Sequence, residues 1–338
     1  MTQARNNNSL HNNASVICIG VANVDIVAHI DTGFLLRHRV DKGTSTLMRS
    51  EDLMPIIKDL KNALTIPGGC AANTACGIAT EGVATQFSGM IHDDEYGQIF
   101  QDGFKPYGVS FTPGYHPERH TALCLTLVTQ DKERSFVFSP SAASWGLSED
   151  NLPARDESRP LIVYTESNLF RMTAGTTHQS MVHAVIEKYR GPDVQIILNL
   201  IDTEITSHHR KTILDMIANR SFAYIISNQD ELMALFSVKT LDDALAAAQK
   251  SGQKFITTLG RDGAYIVDEH RADHIAGTGI AMEDIVDTVG AGDQFSAGFV
   301  AALAKGMDID AACLNGTKHA IRILGLAGAR PLIIQKAA

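Results

Sequence analysis

Short, nearly continuous apolar runs alternate along this chain with longer stretches of helical period. Six runs read as strands: SVICIG (15–20), TQFSGMI (85–91), LIVYTE (161–166), VQIILNL (194–200), AYIISN (223–228) and KFITTLG (254–260). Apolar positions recurring at three and four residues predict helices near 71–81, 94–106, 177–190, 208–219, 229–236, 241–251, 291–305 and 309–325. Strands that are apolar throughout and separated by helices imply a mostly parallel sheet covered on both faces. The expected fold class is therefore α/β: a doubly wound sheet flanked by helices, with ligands beyond the carboxyl ends of the strands. Two stretches break the rhythm. His120 to Ala143 reads as two strands around the polar turn TQDKER, an antiparallel hairpin, and Val27 to Met48 holds strand-like pieces without helical period. As segments of about 27–50 and 119–143, they are expected to form a small β-sheet lid on a single domain spanning 15–335.

Composition narrows the function classes. The chain has 338 residues, 44% hydrophobic and 20% charged, ordinary for a globular protein with a sizeable core. A formal charge of −9 argues against a nucleic-acid surface. No run approaches the roughly 18 apolar residues of a membrane span. Five cysteines without a C-x-x-C pair read as reduced thiols, which predicts a cytoplasmic protein without disulfides or zinc. The opening MTQARNNNSLHNNA lacks the apolar core of a signal peptide, so residues 1–14 are expected to be a disordered polar tail.

The chemistry gathers at DTVGAGDQFSAGF (287–299), where three small residues precede a carboxylate and lead straight into an apolar helix. A helix starting there leaves backbone amides bare, and its dipole favours an anion. Asp293 adds a carboxylate where a plain anion site would want none. The amides of Ala291, Gly292 and Asp293 converging on a phosphoryl group, with Asp293 taking a proton from an acceptor hydroxyl, would account for both features. The alternative is tight helix packing, with Asp293 as a cap. The chain has no P-loop, no strand-linked G-x-G-x-x-G, no H-E-x-x-H and no G-x-S-x-G. A Rossmann oxidoreductase accordingly lacks its fingerprint, since CIGVANVD supplies only Gly20.

DTVGAGDQFSAGF resembles the C-terminal signature of the ribokinase-like (PfkB) family of sugar and nucleoside kinases. PGGCAANTACGIATEG (67–82) is similar to its N-terminal glycine signature, and GVANVDIVA, SNQDEL and TTLGRDGA follow the family's order. The resemblance implies a doubly wound α/β domain with a β-lid that transfers the γ-phosphate of ATP to a hydroxymethyl group. It implies Asp293 as catalytic base and Gly290, Ala291 and Gly292 as the anion hole. Asp25 and Asn23 would bind the sugar hydroxyls, with Gly68, Gly69 and Asn73 lining the same pocket. Asn228 and Glu231 match the family's N-x-x-E, which organises Mg²⁺ and its waters; a capping-box helix start explains the same residues. Thr258, Gly260 and Gly263 would lie along ATP, with Asn315 and Thr317 flanking adenine. Arg134 would bring charge onto the phosphates from the lid. A monovalent cation such as K⁺ beside the anion hole also belongs to the resemblance, and the lid leaves room for a homodimer.

The acceptor is the finer question. Ribokinases carry lysine after the glycine pair, in GGKGAN, whereas this chain has Cys70 in GGCAAN, which leaves room beyond a ribose for a base. That feature and the stretches GVANVDIVAHID, KGTSTLM and TALCLTLVTQDKERS are similar to adenosine-kinase-like bacterial sequences, so adenosine leads. Asn23 before Asp25 is similar to ribokinase, which keeps ribose, fructose and 2-keto-3-deoxygluconate in play. A catalytically silent ligand-binding relative is the third reading.

Overall fold

The computed structural model describes residues 13–139, 142–174, 179–277 and 279–333. All six expected strands enter one nine-stranded sheet, TQFSGMI only through Thr85–Ser88, since Met90–Ile91 pairs with Gly114–Tyr115 in a separate two-stranded sheet. The order of the nine is Ala272–Ala276, Gly263–Val267, Phe255–Thr258, Tyr224–Asn228, Val194–Asn199, Leu161–Glu166, Ser15–Ile19, Thr85–Ser88 and Ser110–Phe111. From Phe255–Thr258 through Ser110–Phe111 every pairing is parallel. The two strands at the other edge run antiparallel. Sequence pattern misses Ala272–Ala276, which is mostly exposed and held by backbone pairing, and also the buried Gly263–Val267 and the two-residue Ser110–Phe111.

The expected helices form with boundaries shifted by a few residues: Cys70–Thr80, Glu95–Asp102, Met181–Lys188, Arg210–Ala218, Gln229–Phe236, Leu241–Ser251, Ala291–Ala304 and Ile309–Leu324. The start expected at 177 lies partly outside the described residues. Three helices escape the pattern. Thr32–Arg37 and Thr203–His208 are too short for a period to register, and each is started by an aspartate cap: Asp31 accepts from the Phe34 amide at 2.7 Å, Asp202 from Ile205 at 2.8 Å. Ser50–Asp59 carries Pro55 inside it, which disguises it as a break.

A second, five-stranded sheet orders Ser45–Leu47, Arg134–Phe138, Ala122–Val128, Asn23–His29 and Leu64–Pro67. Its centre contains the expected hairpin, Arg134 opposite Val128 and Phe138 opposite Cys124. Asn23–His29 runs parallel to Ala122–Val128 with Asp25 beside Cys124, so the hairpin is tied to the strand that carries the early aspartate.

The large sheet is packed on both faces. Ala291–Ala304, buried from Gln294 to Ala304, lies against Cys70–Thr80 and Ile309–Leu324 on one side. Met181–Lys188, Arg210–Ala218, Gln229–Phe236 and Leu241–Ser251 bury their apolar faces with the other. The central helix is built from small residues so that its neighbours can approach. A Cβ on Gly298 would stand 2.6 Å from the Asn315 carbonyl oxygen. Phe299 is fully buried in this layer, where truncation to alanine costs about 3–5 kcal/mol. Packing thus anchors the helix whose first turn carries Asp293.

Candidate active site

A cavity of about 480 Å³ opens where the large sheet, the second sheet and the start of the Ala291–Ala304 helix meet. Val21, Glu166 and Asp202 line it from just beyond the carboxyl ends of Ser15–Ile19, Leu161–Glu166 and Val194–Asn199, where open α/β sheets place ligands. A larger open groove, about 1210 Å³, runs between Met181–Lys188 and Arg210–Ala218, by the amino ends of strands, and takes in none of the expected residues.

Two helix starts face each other across the smaller cavity. Gly290 adopts φ 78° to begin the Ala291–Ala304 helix, and a Cβ there would also meet Ala329 at 2.5 Å. The amides of Ala291 to Asp293 fall in the first turn, where no carbonyl of the same helix reaches them. Opposite, the Cys70–Thr80 helix begins from Gly69. Its buried Asn73 donates from Nδ2 to Asp293 Oδ2 at 3.0 Å, and Thr74 Oγ1 donates to the Asp293 carbonyl at 3.2 Å. The glycine signature and the GAGD turn, 220 residues apart, are therefore one unit.

Asp25 completes the polar floor. Asn23 donates from Nδ2 to its Oδ1 at 2.7 Å, and the Gly68 amide donates to the Asn23 carbonyl at 2.9 Å. A Cβ on Gly68 would lie 2.2 Å from Asp25 Oδ2, so only glycine lets the loop pass the carboxylate. Burial pushes the carboxyls of Asp25 and Asp293 up to about 6 each. For Asp25 the Asn23 amide, and for Asp293 the Asn73 amide and the Cys70 thiol, oppose the rise by stabilising the ionised form.

Two residues that the sequence reading passes over sit in this network. Glu166 ends its strand fully buried; Oε1 accepts from the Val21 amide at 3.0 Å and Oε2 from the Ala71 amide at 2.9 Å. Desolvation raises its carboxyl to about 7 against those two donors. A carboxylate closing the strand LIVYTE, whose first four residues are apolar, is the local signal for it. Arg330 donates from Nε to Asn73 Oδ1 at 3.0 Å, and nothing near it in sequence marks it. Around this floor stand apolar walls: Leu47 and Phe138 from the second sheet, with Leu123, Trp145, Val289 and Ile205.

The residues expected on the ATP side are differently occupied. Both Glu231 oxygens accept from Asn228, one from its amide and one from Nδ2, each at 2.8 Å, while Glu231 N donates back to Asn228 Oδ1 at 2.8 Å. This is a complete capping box. Burial lifts Glu231 to about 8, with Asp202 and Asp230 adding to the rise. Among the described residues no cluster of three or more His, Cys, Asp or Glu side chains can hold a metal ion. The donor set thus fits a magnesium that arrives with phosphates and keeps its waters, and does not fit a protein cage. Thr258 Oγ1 donates to the Ser227 carbonyl at 3.4 Å. Gly260 faces open space at φ 60°, and Gly263, at φ 99°, packs on the Ile275 carbonyl. Asn315 Nδ2 donates to the Gly298 carbonyl at 2.9 Å, and Thr317 Oγ1 to Cys313 O at 3.1 Å. Arg134 is exposed on the hairpin and reaches Asp287, three residues before the Gly290 turn, at 3.5 Å.

Known proteins resemble this chain in sequence and in fold. The chain is 23% identical to adenosine kinase from Schizosaccharomyces pombe over 326 residues, 90% of this chain and 92% of that one. It is 28% identical to ribokinase from Bacillus subtilis over 251 residues, covering 73% and 78%. The crystal structure of adenosine kinase from Sinorhizobium meliloti superposes with a TM-score of 0.82 at 25% identity, covering 95% of this chain and 96% of that one. Residues 50–334 match the pfkB family carbohydrate kinases, enzymes that phosphorylate sugars or nucleosides at a hydroxyl group, and this chain belongs to that family.

Proposed function

We propose that this kinase transfers the γ-phosphoryl group of ATP to the hydroxymethyl group of a nucleoside, adenosine foremost. The observation that carries the reading is the two-faced cavity. Its floor presents Asp25, Asn73 and Asp293, while Leu47, Phe138, Trp145 and Val289 form apolar walls. A nucleoside divides in the same way, into a ribose rich in hydroxyls and a planar, largely apolar base. A free sugar carries hydroxyls all round and would leave the apolar wall unused. Cys70, small where ribokinases carry lysine, leaves room for the base.

In this reading Asp25 and Asn23 hold ribose hydroxyls and Asn73 orients Asp293. The acceptor hydroxyl gives its proton to Asp293 as its oxygen bonds to the γ-phosphorus. The bond from that phosphorus to the bridging oxygen breaks, and ADP leaves. The amides of Ala291, Gly292 and Asp293 meet the charge on the transferred group. Arg134 adds positive charge from the hairpin, Asn228 and Glu231 reach the magnesium through water, and Thr258, Gly260, Gly263, Asn315 and Thr317 border the ATP path. Magnesium, when bound with ATP, neutralises phosphate charge. A base near 6 is mostly ionised at neutral pH, yet basic enough to accept the proton.

Glu166 favours the second reading, phosphorylation of a free sugar such as ribose, fructose or 2-keto-3-deoxygluconate. With Asp202 it brings the carboxylates on the cavity lining to four, beside Asn168. ADP release with Mg-ATP across adenosine, inosine, ribose, fructose and 2-keto-3-deoxygluconate decides between them. Turnover confined to nucleosides is expected; turnover on a free sugar with none on adenosine overturns the nucleoside assignment.

A further inference from the structure

Arg330 lies beyond the last helix and far in sequence from every motif, yet it makes three hydrogen bonds at the centre of the site. Nε donates to Asn73 Oδ1 at 3.0 Å, Nη1 to the Gly103 carbonyl at 3.0 Å and Nη2 to the Gly68 carbonyl at 3.2 Å. The guanidinium also stands 5.3 Å above the Phe104 ring. Asn73 is met from a second direction, because Gln294, next to Asp293, donates from Nε2 to the Asn73 carbonyl at 3.1 Å and to Ala329 O at 3.0 Å. Gln294 therefore ties the segment carrying Arg330 to the start of the helix that carries the reacting carboxylate.

The consequence follows from the two ends of an amide. A primary amide offers an oxygen that accepts and a nitrogen that donates. A cationic donor on the Asn73 oxygen leaves only Nδ2 to face Asp293. Were the amide turned over, its oxygen would oppose the Asp293 carboxylate and its NH₂ would oppose the guanidinium, so both contacts would become repulsive. Through Gly68 the same guanidinium holds the loop that passes 2.2 Å, by a hypothetical Cβ, from Asp25 Oδ2. One cation thus braces both carboxylates without lining the cavity.

We propose that Arg330 is a positioning residue for phosphoryl transfer, locking the Asn73 amide with its nitrogen toward Asp293 and bracing the Gly68 loop against Asp25. This rests on the reading of Asp293 as the base. The charged or titratable groups around Asp293 are Cys70, Asp25, Tyr164, Glu166 and Arg330, and Cys124 stands beside Asp25. Arg330 is the one cation among them, and it lowers both aspartates against their burial.

The test compares full-length wild type with Arg330→Met, Arg330→Lys and Phe104→Leu. The pH dependence of kcat is read alongside a carboxyl-carbon NMR titration of the aspartates. Wild type should lose turnover as pH falls through about 6. Arg330→Met should move that limb upward by about one pH unit and lower kcat at pH 7 about tenfold or more, as loss of a charged hydrogen-bond partner does. KM for ATP should stay within about twofold, since the residue touches no expected donor contact. Arg330→Lys keeps the charge and loses the bond to Asn73, so its limb should stay near wild type while kcat falls severalfold. Phe104→Leu should lower Tm and leave the limb in place, which marks what a purely structural role looks like.

Wild-type kcat and limb in folded Arg330→Met overturn the proposal, and so does a lower kcat with an unmoved limb. If Arg330→Met does not fold, Arg330→Lys decides, and wild-type kcat in that variant overturns the proposal. If no acceptor yields ADP with wild type, the catalytic reading falls by itself. The NMR titration then still decides Arg330: Asp25 and Asp293 titrating higher in Arg330→Met supports the brace, and unchanged titration removes it.

Discussion

The two halves of the site differ in how their side chains are committed. Around the expected acceptor, residues from four separate stretches spend their hydrogen bonds on one another: Asn23 on Asp25, Asn73 on Asp293, Arg330 on Asn73. They hold half-buried carboxylates at the edge of the cavity. On the expected ATP side, bonding is local and structural: Glu231 closes a capping box, Thr317 bonds back four residues, and Asn315 pins two helices together. The acceptor half is organised before anything binds, whereas the donor half presents backbone and open space at Gly260. Preorganisation of this kind is what a reacting centre needs, because transfer rewards fixed geometry at the atoms that react. A flexible triphosphate with its own cation can be held more loosely.

The sharpest way to break this contrast is Asp293→Asn. Turnover should fall by about 10²–10⁴-fold, the usual cost of losing a positioned general base. ATP binding by calorimetry should persist; turnover at the wild-type level would take the acceptor half out of the chemistry. Asp25→Asn comes next. Loss of a charged hydrogen-bonding partner is worth about 1.5–3 kcal/mol, so KM for the acceptor should rise roughly 10–100-fold with kcat less affected. Collapsed kcat with unchanged KM would move Asp25 from binding to chemistry.

Phe138→Ala probes the apolar wall within the same half. KM for adenosine should rise about tenfold, in line with loss of about 1.5 kcal/mol of apolar contact, and KM for any free sugar turned over should not change. An equal effect on both acceptors would contradict a base stacked on that wall.

Buried carboxylates also predict a pH effect on the unliganded protein. Asp25 and Asp293 titrate near 6, Glu166 near 7 and Glu231 near 8, all above their ordinary range near 4. Between about pH 4 and each folded value the native state binds more protons than the unfolded one, so stability falls as pH rises through that window. Tm should therefore increase by several degrees from pH 8 to pH 5.5. Glu231→Gln should lower the slope across the whole window and remove most of it between about pH 7 and 8, where Glu231 alone of the four still holds an excess proton in the native state. A Tm that rises with pH over this range would mean that these groups are ionised at little cost. The smallest effect is expected at Asn315→Ala, which should lose about 1 kcal/mol of stability with its interhelical bond. KM for ATP should change less than about twofold, and a larger change would give the donor half a direct contact after all.

Much of the fold was legible because its signals are local. Leu161–Glu166 is apolar at four positions running and forms an internal parallel strand of the large sheet. Gln229–Phe236 and Leu241–Ser251 announce themselves by period and cap. Thr203–His208 and Ala272–Ala276 did not, since a six-residue helix and an exposed edge strand carry too few apolar positions to set a period. At the site, the GAGD helix start and the GGCAAN glycines could be singled out because amide exposure and close approach are written in residue type. Their meeting could not be, because Asn73 and Asp293 stand 220 residues apart and only helix packing brings them to 3.0 Å. The sequence by itself determined the α/β class, the carboxylate poised at a helix start and the family. Tertiary structure alone decided that Glu166 faces the cavity and that Arg330 grips Asn73. The Glu231 cap, three residues from Asn228, was already legible, whereas burial and long-range hydrogen-bond partners are set by neighbours that sequence spacing does not reveal.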